Sequence, residues 1–222
     1  MSSELEQGTA DTRRPIPSRG SAWAAWLTRA LVRVGVSPNQ VSAAGLVFAL
    51  AAGVALGTVS LGDDPLRMSL LLAAPMLIGL RLLANMLDGL LAVEAGRGAP
   101  DGPLWNEMPD RLADVAVLVG AGYGAGTPEL GWAAAAAALG TAHARSLGDA
   151  IGAPGCFCGP MGKPQRMAAI VAGALGSFFI GAGALAFALW LVVLGSAITI
   201  GLRIACVRRR LLSGGQAASP DR

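Results

Sequence analysis

Three aspartates and one asparagine punctuate an otherwise apolar part of this chain. Asn85 and Asp88 come at the end of one apolar segment, and Asp110 and Asp114 at the opening of the next. Ionisable groups in a membrane segment are costly, so they mark a functional site in which a partner or a cation neutralises them. Arg81, Asn85, Asp88 and Ala92 step by four, three and four residues and so share one helical face. Asp110 and Asp114 stand one turn apart on the following helix. A short connection makes the two helices antiparallel neighbours, which sets Asp88 near the level of Asp110 and Asn85 near that of Asp114. Four oxygen-bearing side chains then converge as ligands for a hard divalent cation, Mg2+ or Mn2+, of the kind held by a few carboxylates plus substrate phosphates. Gly89 and Ala92 leave that face bare for a bulky group to approach the backbone.

These residues carry a resemblance. The CDP-alcohol phosphatidyltransferases have the signature D-x-x-D-G-x-x-A-R, a spacer, then G-x-x-x-D-x-x-x-D. Here the first half reads Asn85-Met86-Leu87-Asp88-Gly89-Leu90-Leu91-Ala92-Val93 and the second Asn106-Glu107-Met108-Pro109-Asp110-Arg111-Leu112-Ala113-Asp114. Asp88, Gly89, Ala92, Asp110 and Asp114 match. Asn85 replaces the first aspartate, Val93 the arginine and Asn106 the second glycine, and the spacer is longer than usual. The run Pro38-Asn39-Gln40-Val41-Ser42 also resembles the entry to the family's first helix, where the asparagine lies close to the nucleotide; by itself Asn39 reads equally well as a solvated first-turn residue.

Composition agrees with a membrane class. Of the 222 residues, 54% are hydrophobic and only 14% charged, too apolar for an ordinary soluble domain. A net charge of +3 gives no support to a nucleic-acid partner. Cys156, Cys158 and Cys206 make no disulfide framework, and the Cys-x-Cys pair lacks the further ligands of a structural zinc site, so Cys156 and Cys158 read as ordinary loop thiols.

The expected fold is an all-α integral membrane protein with six transmembrane helices preceded by an interfacial amphipathic helix. Residues 1–20 read as a disordered cytoplasmic tail. Over 21–36, Trp23, Trp26, Leu27, Ala30, Leu31 and Val34 recur at helical spacing and suit a membrane interface. The six-helix domain spans 37–208, with a cytoplasmic tail over 209–222. Ser37 caps the first membrane helix, Pro38 takes its first position and Gln40 completes a capping box; this helix runs to about Leu61. The second covers about Met68 to Ala92. An irregular Gly/Pro-rich cover follows from Val93 to Trp105, Pro109 opens a third helix ending near Gly126, and a fourth runs from Thr127-Pro128 to near Leu147. A fifth and sixth cover about Met167 to Ile180 and Leu185 to Val207. Arginines and the chain's lysine gather on the side of the termini, which places the tails and the acidic site in the cytoplasm.

The resemblance implies an enzyme that moves a phosphatidyl group from CDP-diacylglycerol to the hydroxyl of a polar alcohol or alcohol phosphate, with release of CMP. It implies Asn85, Asp88, Asp110 and Asp114 around one or two metal ions, Asp114 as general base, and nucleotide contacts at Asn39, Gly89, Ala92 and Asn106. It also implies a homodimer. The loop Gly159 to Arg166 is similar to the family's G-K-x-x-x loop, so Lys163, Gln165 and Arg166 are candidates for a substrate phosphate, against plain topology signalling. Arg81 either pairs with Asp114 as a buried counter-charge or holds a phosphate itself. His143 and Arg145 rank below these as packing residues. Alternatives are a transferase from a CDP-linked small alcohol to diacylglycerol, a catalytically weakened nucleotide-binding relative, and an ion-coupled transporter; against the last, the acids cluster at one membrane face and no internal repeat is apparent.

Overall fold

The computed structural model describes residues 22–94 and 102–217, and within them the chain forms seven α-helices and one short 3-10 turn. The tail at 1–20, the far end of the C-terminal tail and most of the expected cover over 93–105 lie outside the described residues. Helix α1 spans Ala22–Val34, α2 Pro38–Thr58, α3 Asp64–Glu94, α4 Gly102–Gly124, α5 Pro128–Ala150, α6 Lys163–Ile180 and α7 Gly183–Ala217. Three stretches, Pro38–Leu61, Asp64–Ala92 and Gly183–Ser213, are long and apolar enough to cross a membrane.

Local chemistry explains the starts. Ser37 Oγ accepts from Gln40 N at 3.2 Å and Gln40 Oε1 accepts from Ser37 N at 2.9 Å, which is the anticipated capping box. Helix α3 begins four residues before the anticipated Met68, because Asp63 Oδ1 accepts from Leu66 N at 3.2 Å and Pro65 sits in the first turn. Helix α4 begins at Gly102, so Pro109 lies inside it instead of opening it; its neighbour Asp110 is already in a formed helix. In α1, Ala24 and Thr28 are buried while Trp23 and Trp26 are 50% and 65% exposed. Leu27 and Leu31 pack with Leu83, Leu87 and Leu91 of α3, so the apolar stripe is divided between protein and an outward tryptophan edge.

The expectation that α3 and α4 are side-by-side neighbours needs correction. Helix α2 lies between them for most of their length, and around the bundle the order is α3, α2, α4, α5, α7, α6, closing with α6 against α3. The reason is the small-residue face of α2. A Cβ on Gly45 would stand 3.2 Å from Ala84 Cβ of α3, and one on Gly53 would stand 2.8 Å from the Ala116 carbonyl carbon of α4. Gly120 returns the approach, since its Cβ would fall 2.7 Å from Gly53 Cα. Backbones this close gain dispersion contact where water is absent to drive association. Below the site, Leu56, Leu71, Ile78, Val117, Leu118, Ile170, Leu189 and Val192 fill the interior of the ring.

The connection between α5 and α6 is tied to α7. Met161 N donates to Thr199 Oγ1 at 2.9 Å, and Gly159, at φ 112°, lies so close to Thr199 that a Cβ would fall 2.6 Å from it. Cys156 is disulfide-bonded to Cys206 across 50 residues of sequence, which overturns the reading of Cys156 as an ordinary loop thiol: the loop folds back onto the last helix and brings the two to a Cα separation of 6.1 Å. Cys158 is free and its Sγ reaches Leu202 O at 3.3 Å.

Candidate active site

At the level of Ser42 and Gly45 of α2, the polar faces of α3 and α4 meet. Arg81, 1% exposed, directs Nη2 to Asp114 Oδ1 at 2.5 Å and to Asp110 O at 3.2 Å. Arg166, in the first turn of α6, supplies Nη2 to Asp114 Oδ2 at 2.7 Å and Nη1 to Thr141 Oγ1 at 3.0 Å and Met161 O at 3.3 Å. Lys163, at the head of α6 ahead of its apolar run, forms an ion pair with Asp110 Oδ1. Burial pushes the Lys163 ammonium below its ordinary value, and the Asp110 carboxylate pulls the other way. Asp88 is buried, and its Oδ2 accepts from Ser42 Oγ of α2 at 2.7 Å while Oδ1 has no hydrogen-bond partner.

The four expected ligands therefore do not converge as one tetrad. Among the described residues no group of three or more His, Cys, Asp or Glu side chains is gathered as a metal site. Arginine and lysine side chains reach into the acidic cluster and engage Asp110 and Asp114, leaving Asp88 as the buried carboxylate without a cationic partner in an ion pair. Beside it a cavity of about 10 Å³ is lined by Ser42, Arg81, Asn85, Asp88 and Asp110. The oxygens of Ser42, Asn85, Asp88 and Asp110, among them the orphaned Asp88 oxygen, are of the type that holds a hard cation, and the Arg81 guanidinium lies beside them.

On the other side of Asp114 opens a larger cavity of about 180 Å³. Its wall carries Arg111, Arg145, Lys163, Arg166 and Arg203 against Glu107, Asp110 and Asp114. Glu107 pairs with both Arg111 and Arg145, and Arg145 also lies over the Phe157 ring at 5.8 Å. Arg203 donates to Thr141 O at 2.5 Å and Cys158 O at 3.3 Å, joining α7, α5 and the tethered loop. The excess of cations over carboxylates, with walls of Ala138, Leu139 and Ala142, suits a small anionic ligand.

Of the residues singled out from sequence, Arg81, Asp110, Asp114, Lys163 and Arg166 come together in one ion-pair network, with Asp88 and Asn85 at its inner edge. Gln165 is exposed and lines neither cavity. Asn39, Gly89 and Ala92 are part-buried and likewise line neither, and the side chain of Asn106, like that of Val93, lies outside the described residues. Arg145, ranked low, lines the larger cavity, whereas His143 is exposed. Ser42, Glu107, Thr141 and Arg203 were not anticipated. A lone arginine within the apolar run of α7 was a readable signal for Arg203.

No family model matches this chain. It is 28% identical over 192 residues to the phosphatidylinositol phosphate synthase of Mycolicibacterium smegmatis, covering 82% of each chain. It is 27% identical over 198 residues to that of Mycobacteroides abscessus, again covering 82% of each. The homologues of this chain are phosphatidylinositol phosphate synthases. Those synthases belong to the CDP-alcohol phosphatidyltransferase family, in line with the resemblance carried by Asp88, Gly89, Ala92, Asp110 and Asp114. The Mycobacterium tuberculosis synthase with manganese and citrate superposes with a TM-score of 0.69 at 25% identity, covering 83% of this chain and 88% of the other. The same synthase with CDP-DAG bound gives a TM-score of 0.70 at 24% identity over 84% and 94%, a likeness of fold.

Proposed function

We propose that this chain transfers a phosphatidyl group from CDP-diacylglycerol to the hydroxyl of a polar alcohol, with release of CMP, and that the acceptor carries a phosphate. What carries the reading is the cation-walled cavity that opens directly onto Asp114, in a chain related over most of its length to phosphatidylinositol phosphate synthases. A small-alcohol donor, a silent relative and a transporter are not favoured by those relatives.

Asn85, Asp88 and Asp110 are the residues that would hold a divalent cation, and Ser42 orients Asp88 for it. When bound, that cation would neutralise the diphosphate and improve CMP as a leaving group. Asn39, Gly89 and Ala92 border the nucleotide, with Asn106 assigned there on the motif alone. Lys163, Arg166 and Arg203 receive the acceptor phosphate, which sets its hydroxyl beside Asp114. The hydroxyl oxygen bonds to the lipid-side phosphorus, the bond from that phosphorus to the CMP oxygen breaks with its electron pair on CMP, and the hydroxyl proton passes to an Asp114 oxygen. A carboxylate held by two guanidiniums is a weak base, so positioning supplies most of the rate. The site and both termini are assigned to the cytoplasmic face, where basic residues gather. Six spans, an interfacial α1 and a homodimer complete the reading.

Purified protein with CDP-diacylglycerol, Mn2+ and a panel of polyols and polyol phosphates should release CMP with one of the phosphorylated acceptors. Asp88→Asn and Asp114→Asn should abolish it. No CMP with any acceptor would overturn the reading.

A further inference from the structure

We propose that the cleft between the ends of α5 and α7 is a binding site for an anionic phospholipid, with an acyl chain along its apolar walls and the lipid phosphate on Arg208. The cleft shares no lining residue with the two cavities of the candidate active site, so the inference stands apart from the transferase reading.

Two helices of unequal reach make its shape. Helix α5 stops at Ala150, whereas α7 runs on to Ala217. They touch where a Cβ on Gly148 would fall 2.6 Å from Val207 Cγ2, and beside that contact a cleft of about 310 Å³ opens. Ala144 and Leu147 form one wall, and Ile204, Val207 and Leu211, at steps of three and four residues, form the other. Ile204 and Leu212 are 58% and 60% exposed, so the protein's own core leaves this stripe uncovered. The apolar stretch of α7, Gly183–Ser213, is longer than the roughly 20 residues that cross a bilayer, which carries its last turns to headgroup level. An acyl chain lying beside Ile204 and Val207 therefore brings a lipid phosphate level with the turn that follows.

Charge decides the kind of lipid. Arg208 is the charged member of the lining, and Arg209 stands next to it in sequence. Both are exposed, and among the described residues neither side chain makes an ion pair or a hydrogen bond. The neighbouring charges are already engaged: Arg210 donates to Pro154 O, and Asp149, near the end of α5, accepts from Arg145 and from Gly155 N. Two adjacent cations beside an apolar cleft match a phosphodiester whose headgroup is net negative. A zwitterionic lipid would bring its own ammonium to the same arginines. A second copy of this chain is opposed for the same reason, because a twofold contact of the stripe with itself sets one cationic patch against the other.

The test is lipid retention by the full-length protein in detergent, read by native mass spectrometry during titration with phosphatidylglycerol or with phosphatidylcholine of the same chains. Two arginines at the headgroup should make the first phosphatidylglycerol bind about 10-fold more tightly than phosphatidylcholine. Equal retention of the two lipids would overturn the proposal. The paired substitution Arg208→Gln with Arg209→Gln should bring the two lipids within about twofold of each other, and a preference that survives it would refute the site. Leu211→Trp fills the cleft and should weaken retention of both lipids; unchanged retention by protein of native elution volume would also refute it. A Leu211→Trp protein that loses a dimer yet keeps its lipid assigns the cleft to a second copy and overturns the proposal as well.

Discussion

Replacing Lys163 by methionine removes the ammonium and keeps most of the side-chain volume. Lys163 lines the larger cavity, paired with Asp110, which lines both cavities, and faces the space assigned to the acceptor phosphate. A hydrogen bond to a charged group contributes about 1.5–3 kcal/mol, so its loss should raise KM for a phosphorylated acceptor about 10- to 100-fold. The donor should be unaffected, because CDP-diacylglycerol is assigned to the opposite side of Asp114. Ion binding should hold or tighten, since Asp110 loses a competing positive charge. The assay is initial-rate CMP release with each substrate varied in turn, for a polyol phosphate and for the same polyol without phosphate. If Lys163→Met weakens both acceptors equally, or shifts KM for the phosphorylated one less than threefold, Lys163 does not read a phosphate and the assignment of the larger cavity fails.

Other outcomes follow from the same geometry. Ser42→Ala removes the hydroxyl that orients Asp88 and should weaken Mn2+ binding about 10- to 100-fold with little change in stability, measured by ion titration and thermal melting. Gly120→Leu places a side chain where the Gly53 backbone already lies, and should abolish a monodisperse elution profile even in protein that still inserts into detergent. Chelation should stop CMP release reversibly, with Mn2+ restoring it, while the helical circular dichroism spectrum stays unchanged because ion pairs already neutralise Asp110 and Asp114. Arg166→Gln withdraws one of two cations from a buried carboxylate and leaves Asp114 half-paired. It should lower thermal stability by about 3 kcal/mol as well as activity, in contrast to Lys163→Met, which should chiefly affect acceptor binding.

Periodicity in the sequence was enough to bring Arg81 to Asp114, because both lie on helices whose spacing is visible in the residues themselves. It was also enough to place Ser37 and Gln40 as a cap. It did not show that α2 separates α3 from α4, since a short connection implies adjacency and nothing in α3 or α4 argues otherwise. The signal lay in α2, where Gly45, Ala49, Ala52 and Gly53 make a face narrow enough for backbones to approach. Pro109 looked like a helix start because proline favours first turns; here the turn before it is also helical. The pairing of Cys156 with Cys206 depends on how a loop folds onto a helix 50 residues later, which spacing does not encode. The pairing of Lys163 with Asp110 and of Arg166 with Asp114 was equally hidden, because those cations come from α6, about 50 residues further along the chain.

The seam between α2 and α4 leaves no room for a Cβ at Gly53 or Gly120, so those positions tolerate little besides glycine. The opposite wall, with Arg145, Phe157 and Arg203, is made of long side chains on α5, a loop and α7, which can be exchanged one at a time. Drift in such a chain is therefore one-sided: the α2–α4 seam is frozen by main-chain contact, while the wall assigned to the alcohol is free to change. Under the proposed function, new acceptor preferences arise by rewriting that second wall, without an alteration to the packing of α2 against α4.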